Sequence, residues 1–270
     1  IHYTNPILKQ ELKKGMQSDE TIPSISRGVS EMRPKTIISL YDYTGEALKP
    51  WAKAGHWCYA YDIQHGKEDR TETYDSGGYI MYTHADLHDI KHIITVIGRF
   101  IGCQPFFGMA FPVCTDLAVS GAAWFKKKAE ADPEFQDKAV NHVHNCAKVF
   151  KGLGIPYFIE NPVSVLATKW RKPDYSFHPY EYGGYIPEDE AEHPQWPEYI
   201  PARDAYRKKT CLWTGNGFKM PEKKEIDCSD YYGNGYSKPM MKLGGKSMRT
   251  KNIRSATPRG FAQAVMESNR

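Results

Sequence analysis

Short apolar runs alternate with helix-like stretches along the first two thirds of the chain. Runs of β-branched and aromatic residues occur in TIISLYDYTG, HWCYAYDI, YIMYTHADL, QPFFGMAFPV and GIPYFIEN, and each is predicted to contain a strand. Residues 133–152 carry apolar side chains at steps of three and four, which predicts a long amphipathic helix. Shorter helices are predicted at 46–55, where Gly55 is a stop signal, and from about Leu117 to Ala129.

Strands that alternate with helices at this spacing predict an α/β fold with a doubly wound, mostly parallel sheet. In such sheets ligands bind at the carboxyl ends of the strands. We expect this catalytic domain to span residues 35–172, after an amino-terminal extension at 1–34. Proline, glycine, tyrosine and charged residues dominate 173–245, where only KKTCLWTG resembles a strand, so a small irregular second lobe is expected there. Residues 246–270 contain PRGFAQAVMES, which is predicted to form a helix that packs back on the first domain.

The composition is that of a soluble globular protein in a reducing compartment. Of 270 residues, 40% are hydrophobic and 25% are charged. No apolar stretch approaches the roughly 18 residues that a membrane span needs, and the first residues lack an apolar signal core. The six cysteines include no CxxC pair, which argues against a zinc ribbon and a disulfide framework and favours the cytoplasm.

Two groups of conspicuous residues are expected to be structural. Histidines recur every four residues in a region that the pattern predicts to be strand running into loop, so no metal site is predicted from His84, His88 and His92. Tryptophans near the predicted strands and helices are interpreted as packing residues: Trp51, Trp57 and Trp124.

The net charge of +4 is mild, but it is distributed unevenly. No acidic residue occurs from Tyr231 to Arg254, whereas six cations do: Lys238, Lys242, Lys246, Arg249, Lys251 and Arg254. A basic, glycine-containing segment beside tyrosines fits a nucleic-acid phosphate backbone. It fits a solvated surface loop equally well, and charge alone does not decide between them.

Acidic residues stand at or just beyond three predicted strand ends, at Asp42, Asp62 and Asp86. A strand, a tight turn and a helix bring backbone amides together, and an acid at the tip of the next strand suits ribose hydroxyls. The first turn has one glycine, Gly45, rather than the several that cradle a pyrophosphate. The single glycine suggests a ligand without a pyrophosphate, such as an adenosine-containing sulfonium.

A thiol follows the fourth predicted strand, in FPVCTD, and a carboxyl group ends the fifth, in FIENP. Helix amides near Cys114 would favour its thiolate, the nucleophilic form. Taken singly, each has a structural interpretation, since free cysteine is often buried and a glutamate at a strand end is commonly a cap or surface residue.

The ordered series LYDYTG, YAYDI, ADLHD, FPVCTD and FIENP resembles the motif series of the cytosine-5 DNA methyltransferases. Downstream, YGGY, RKKTCLW and IRSATPRGFAQA are similar to elements of its short, phage-type members. The resemblance covers residues 36–172 well and 178–268 in patches. It implies a Rossmann-like methyltransferase fold, S-adenosylmethionine as cofactor, a flipped cytosine in DNA as substrate, and, for a bacteriophage protein, the host cytoplasm as location.

The resemblance also implies roles for individual residues. Cys114 would add to carbon 6 of cytosine, Glu160 would act at nitrogen 3, and Thr115 and Asp116 would belong to the catalytic loop. The cofactor would be held by Asp42, Tyr43, Thr44, Gly45, Asp62, Ile63, Asp86, Leu87 and Pro112. DNA phosphates would be held by Arg207, Lys208, Lys209, Lys246, Arg249 and Arg254.

The chain departs from the family pattern at several positions. Val113 replaces the second proline of a Pro-Pro-Cys element, and Tyr43 stands where many members have glycine. The Gln-x-Arg-x-Arg element that braces the catalytic loop is not intact. Two alternatives therefore stay open: the same fold could modify a free pyrimidine nucleotide or transfer a modified methyl group, or the protein could bind DNA or cofactor without catalysis.

Overall fold

The computed structural model describes residues 33–100, 104–229, 235, 240, 243 and 247–270, without the side chains of residues 99 and 100. Almost all of the expected amino-terminal extension lies outside the described residues. The same is true of Lys246 and of most of the basic segment that precedes it.

An eight-stranded sheet forms the centre of the described fold. Its strands are β1 (Thr36–Leu40), β2 (Trp57–Asp62), β3 (Arg70–Thr73), β4 (Tyr79–His84), β5 (Phe107–Ala110), β6 (Tyr157–Pro162), β7 (Tyr175–Phe177) and β8 (Thr210–Gly215). They lie in the order β3-β4-β2-β1-β5-β6-β8-β7. The strands from β4 to β6 in this order are parallel, whereas β3 and β8 run antiparallel to their neighbours. The predicted α/β class with a mostly parallel sheet is confirmed.

Helices cover both faces of this sheet. The described α-helices are α1 (Lys49–Lys53), α2 (Ile90–Phe100), α3 (Phe125–Ala131), α4 (Phe135–Leu153), α5 (Leu166–Lys169), α6 (Met248–Ser255) and α7 (Arg259–Asn269). Alternate residues of β1 point to opposite faces: Ile38 packs in a core with α2 and α4, and Ile37 packs in a core with α1 and α7. None of the described helices combines the length and apolar character that crossing a bilayer requires.

The predicted strands β1, β2, β4, β5 and β6 and the long helix α4 are all confirmed. Two predicted helices are shorter than expected. Only Lys49–Lys53 is helical within 46–55, with Pro50 in its first turn, where a missing N–H costs nothing. The helix predicted at 117–129 begins instead as a 3-10 turn at Val119–Trp124 and continues as α3.

The region expected to be a separate irregular lobe contributes to the main sheet. Strands β7 and β8 both fall within residues 173–245, and β8 pairs with β6 along its whole length. Three successive residues of β8, Cys211–Trp213, are buried, because helices cover the sheet on both sides. The expected boundary at residue 172 therefore divides a continuous sheet. Helix α7 packs against this sheet, as the sequence predicted.

The order in which successive strands are added to the sheet reverses between β1 and β5. From β1 the chain moves outward through β2 and β4, then returns to place β5 on the other side of β1. In open α/β sheets the crevice outside the carboxyl ends of the strands at such a switch point is the usual ligand site. Asp42 follows β1 and Cys114 follows β5 at this position.

Candidate active site

Asp42 shapes the loop that follows β1. Its carboxylate accepts hydrogen bonds from the Ser39 hydroxyl at 2.8 Å and from the Gly45 backbone N–H at 2.8 Å. Burial raises the pKa of Asp42 to about 6, although these hydrogen bonds act in the opposite direction. Thr44 stays within the same loop, where its hydroxyl lies 3.4 Å from the Asp42 carboxylate. These hydrogen bonds to both carboxylate oxygens show that Asp42 holds the loop in shape.

Gly45 is required by both conformation and space. Its φ is +67°, and a Cβ built there would lie 2.6 Å from the Tyr82 hydroxyl. Next to it, Tyr43 is exposed and stacks on the His65 ring at 5.5 Å. The His65 Nε2 atom lies 3.2 Å from the Asp42 carbonyl oxygen. Contacts with Tyr82 and His65 therefore fix the conformation of the loop after β1.

The loop after β2 presents a carboxylate beside an apolar side chain. Asp62 is buried except for 7% of its surface, accepts the Gln64 N–H at 2.8 Å, and has its pKa raised by burial. Ile63 is 52% exposed. A shielded carboxylate suits ribose hydroxyls, and exposed Tyr43 and Ile63 offer apolar surface to a base. These residues fit an adenosyl group.

The tip of β4 is less suited to a ligand than the sequence predicted. Asp86 is exposed and hydrogen-bonds to His88, which lowers the pKa of Asp86. Leu87 is buried in the core, and its carbonyl accepts a hydrogen bond from the Tyr41 hydroxyl. Asp86 therefore faces solvent and a histidine, and the Leu87 side chain serves packing.

A thiol, a carboxyl group and two cations influence one another at the tips of β5 and β6. Among the five cysteines that the structure describes, Cys114 alone is not buried. Burial raises the pKa of the Cys114 thiol and the Glu160 carboxylate raises it further, whereas Lys208 and Arg254 lower it. Burial also raises the pKa of Glu160, and Lys208 lowers it. The structure thus brings Cys114 and Glu160 into one charged site.

Backbone and side-chain contacts tie the loops after β5 and β6 together. Asn161 donates from Nδ2 to the Pro112 carbonyl at 3.0 Å, and Ala118 and Ser164 form a β-bridge. Pro112 is itself buried. These contacts fix the distance between the strand tip that carries Cys114 and the one that carries Glu160. Pro112, predicted to hold the cofactor, joins the two loops through its carbonyl group.

Thr115 and Asp116 anchor the loop that follows Cys114. The Lys128 ammonium in α3 donates to the Asp116 carboxylate at 2.6 Å and to the Thr115 carbonyl at 3.1 Å. The Thr115 residue is otherwise exposed. Both residues therefore position the loop through α3, and neither has a charge or hydrogen-bond link to Glu160 among the described contacts.

The cations predicted to bind DNA phosphates differ in their exposure and in their contacts. Lys208 donates to the Arg254 carbonyl at 2.6 Å, and both side chains lie near Cys114. Arg207 and Lys209 are exposed on either side of Lys208. Arg249 forms an exposed ion pair with Glu198 at 3.3 Å.

Helix α6 joins the two halves of the site, a feature that the sequence did not reveal. Asn252 donates to the Gln64 side chain at 3.1 Å, beside Asp62 on the loop after β2. Two residues later, Arg254 lies near Cys114. The helix therefore extends across the carboxyl edge of the sheet. The contact joins residues 188 positions apart, so no local pattern could have predicted it.

Among the described side chains, no group of three or more histidine, cysteine, aspartate and glutamate residues could hold a metal ion. The chain matches no family model and no curated protein.

Proposed function

We propose that the protein is a DNA (cytosine-5)-methyltransferase, an enzyme that transfers a methyl group from S-adenosylmethionine to carbon 5 of cytosine through an adduct with Cys114. The observation that supports this proposal is the pairing of a partly exposed thiol with a carboxyl group of raised pKa at adjacent strand tips. Cys114 follows β5 at the switch point of the sheet, and Glu160 lies on the adjacent strand β6.

Cys114 starts the reaction as a nucleophile. Carbon 5 of cytosine is a poor nucleophile until a thiolate adds to carbon 6, which moves electron density toward nitrogen 3. Because its pKa is raised, Glu160 can hold a proton and donate it to nitrogen 3 as this happens. Lys208 and Arg254 favour the thiolate over the thiol and so oppose the effect of burial on Cys114.

Carbon 5 of the adduct then bonds to the methyl carbon. S-adenosylmethionine supplies that carbon as an electrophile, with a neutral thioether as leaving group. Water would take the proton from carbon 5, and breakage of the carbon 6–sulfur bond would restore the ring and return Cys114 as a thiolate. The proton on nitrogen 3 would then return to the Glu160 carboxylate, which leaves neutral 5-methylcytosine. Asp62, Ile63 and Tyr43 would bind and orient the adenosyl part.

A base inside a duplex cannot reach a thiol at the end of a sheet, so the target cytosine must leave the stack. Cys114 lies between loops that are anchored on both sides, by Asn161 to Pro112 and by Lys128 to Asp116. Because these loops are anchored, we expect the cytosine to move to the thiol rather than the loop that carries Cys114 to move to the cytosine.

The test compares wild type with Cys114→Ser on duplex DNA. Wild type should convert cytosine to 5-methylcytosine, identified by mass spectrometry after the DNA is digested to nucleosides. It should also form a stable complex with DNA that carries 5-fluorocytosine. The serine variant should lose both activities and keep S-adenosylmethionine binding. Full methylation by this variant would exclude the covalent mechanism.

One observation favours the non-catalytic alternative. The net influence on Cys114 raises its pKa, so the thiol rather than the thiolate predominates at neutral pH in this structure. A protein that binds cofactor and DNA yet forms no complex with 5-fluorocytosine DNA would support a binding role.

A further inference from the structure

Exposed apolar side chains are concentrated around Cys114. The loops after β5 and β6 carry four large apolar residues with 41% to 63% of their surface exposed: Val113, Val119, Trp124 and Val163. The Val119 backbone N–H donates to the Val163 carbonyl at 3.0 Å, which joins the loops after β5 and β6 at these two residues. Exposed apolar side chains concentrated on neighbouring loops are a common feature of binding sites.

Trp124 is the most exposed of these residues and was expected to be a packing residue. Its neighbour Phe125 packs against Phe135 with ring centroids 5.8 Å apart, but Trp124 makes no ring contact with another described residue. The two preceding residues, Ala122 and Ala123, are also exposed. The fold therefore uses Phe125 for packing and leaves the indole of Trp124 in solvent.

Positive charge accompanies the indole. Lys126 and Lys127, in the first turn of α3, are exposed, and neither forms an ion pair with a described residue. Lys128 binds the Thr115 carbonyl and the Asp116 carboxylate. This last contact anchors the aromatic and basic segment to the loop that carries Cys114.

An exposed indole followed by free lysines is the combination that binds unstacked nucleic acid. Every base has a π face, so an aromatic ring stacks on a base with little sequence preference, and lysines hold the adjacent phosphates. A free nucleotide has one base, which the proposed reaction places at Cys114. Only a polynucleotide supplies a second base for Trp124.

We propose that Trp124 stacks on a base next to the target cytosine while Lys126 and Lys127 bind the flanking phosphates, so that the substrate is DNA opened at the target rather than a free pyrimidine nucleotide. This inference rests on the proposed function, because it assigns the substrate class of the same site.

The experiment compares Trp124→Ala and Trp124→Phe with Tyr175→Ala. Tyr175 is a matched control, because it is 40% exposed but lies on β7 at the far edge of the sheet. Each protein is titrated with a short duplex containing one 5-fluorocytosine, and the rate of covalent trapping is measured. Stacking contributes about 1–3 kcal/mol per base, so Trp124→Ala should weaken DNA binding by about 5- to 150-fold. Trp124→Phe should retain most of the affinity, and Tyr175→Ala all of it.

Four further measurements separate the proposed DNA contacts from general damage to the protein. S-adenosylmethionine binding and the far-ultraviolet circular dichroism spectrum should be unchanged in Trp124→Ala. DNA should quench a component of the tryptophan fluorescence that Trp124→Phe lacks. Lys127→Ala should reduce the slope of log affinity against log salt by about 0.9, the value for one lost phosphate contact with duplex DNA.

The outcomes distinguish this inference from the proposed function. If wild type traps DNA and Trp124→Ala traps it equally well, the stacking role is overturned and the methyltransferase proposal stands. If wild type forms no adduct but DNA still quenches the Trp124 fluorescence, the chemistry fails and the binding surface stands. Efficient methylation of free deoxycytidine monophosphate, with no dependence on Trp124, would overturn the assigned substrate class.

Discussion

Glu160 experiences opposing electrostatic influences that suit it to donate a proton. Its carboxyl group lies on a strand whose neighbours on both sides belong to the sheet, and burial raises its pKa. The Lys208 charge opposes this effect without cancelling it. In the proposed reaction, this raised pKa would favour the protonated carboxylic acid, which would donate to nitrogen 3 while the thiolate adds to carbon 6.

Replacing Glu160 with glutamine should reduce methyl transfer by about 10²- to 10⁴-fold, the usual contribution of a general acid.

The Glu160→Gln variant also tests the direction of the Glu160 pKa shift. Because the folded-state pKa lies above the reference value of 4.5, the free energy of unfolding of wild type falls as the pH rises from 4.5 through the folded-state pKa. Glutamine does not titrate. Urea unfolding at several pH values should therefore show Glu160→Gln gaining stability relative to wild type across this window, and a relative loss would contradict the shift.

Gly45 allows a second test at the residue scale. Gly45→Ala adds a Cβ at a φ of +67°, 2.6 Å from the Tyr82 hydroxyl, whereas Gly154→Ala adds one at +71° with no atom within 4 Å. The backbone penalty of about 1–2 kcal/mol is common to both. We expect Gly45→Ala to lose more stability than Gly154→Ala and to weaken S-adenosylmethionine binding at least tenfold, as measured by calorimetry. Equal behaviour of the two variants would remove the packing role of Tyr82.

At the residue scale, the sequence predicted the positions of the reactive groups in the fold. It did not predict the hydrogen-bond partners of each group. Cys114 and Glu160 were placed by the strand pattern, since the carboxyl ends of parallel strands share an edge. Asp42 was predicted to bind the cofactor, and nothing in the sequence indicated that its oxygens also accept hydrogen bonds from Ser39 and Gly45. Hydrogen-bond partners depend on rotamers and loop paths, which residue types and spacing do not specify.

The elements that complete the site come from distant parts of the chain. The segment before β8 carries Lys208, and α6 carries Arg254, whose carbonyl accepts the Lys208 hydrogen bond. Through this contact the two cations lie beside a thiol on the loop after β5. The positive charge at Cys114 is thus supplied by elements outside the parallel part of the sheet.

Removing the Lys208 charge should make Cys114 harder to ionise. The Lys208 ammonium lowers the pKa of both Cys114 and Glu160, so Lys208→Met should shift the pH midpoint of Cys114 alkylation by iodoacetamide upward. Lys209→Met is the matched control, because the charge of Lys209 acts on buried Cys211 instead. Mass spectrometry of the peptide that contains Cys114 isolates the relevant thiol. An unchanged midpoint in Lys208→Met would show that the lysine does not influence the nucleophile.

Helix α2 and strand β3 are among the elements that the sequence did not predict. Helix α2 is rich in isoleucine and other β-branched residues, which favour strands, but Ile93, Val96 and Ile97 are buried on one helical face against the core. Tertiary packing therefore outweighs local propensity there. Strand β3 reads RTET, without an apolar alternation, because it is an exposed edge strand that only pairs with β4.

At the scale of the whole molecule, the carboxyl-terminal helix joins regions that the sequence separates. Phe261 of α7 stacks on Phe177 of β7 with ring centroids 4.0 Å apart, and also contacts Tyr182 and Phe158 of β6. These rings belong to the same core as α1 and β1. A shared core of this kind predicts that residues 175–215 unfold together with the strands that carry the candidate site.

Phe261→Ala tests whether the sheet and α7 form one cooperative unit. Removing a fully buried phenylalanine costs about 3–5 kcal/mol, and Phe261 is 1% exposed. We expect this loss in urea unfolding, with far-ultraviolet circular dichroism and tryptophan fluorescence giving coincident transitions, as two-state unfolding requires. Tyr175→Ala, at an exposed edge position, should change stability by no more than about 0.5 kcal/mol. If Phe261→Ala instead produced two separate transitions, one for each probe, the region that contains β7 and β8 would be an independent folding unit despite its place in the sheet.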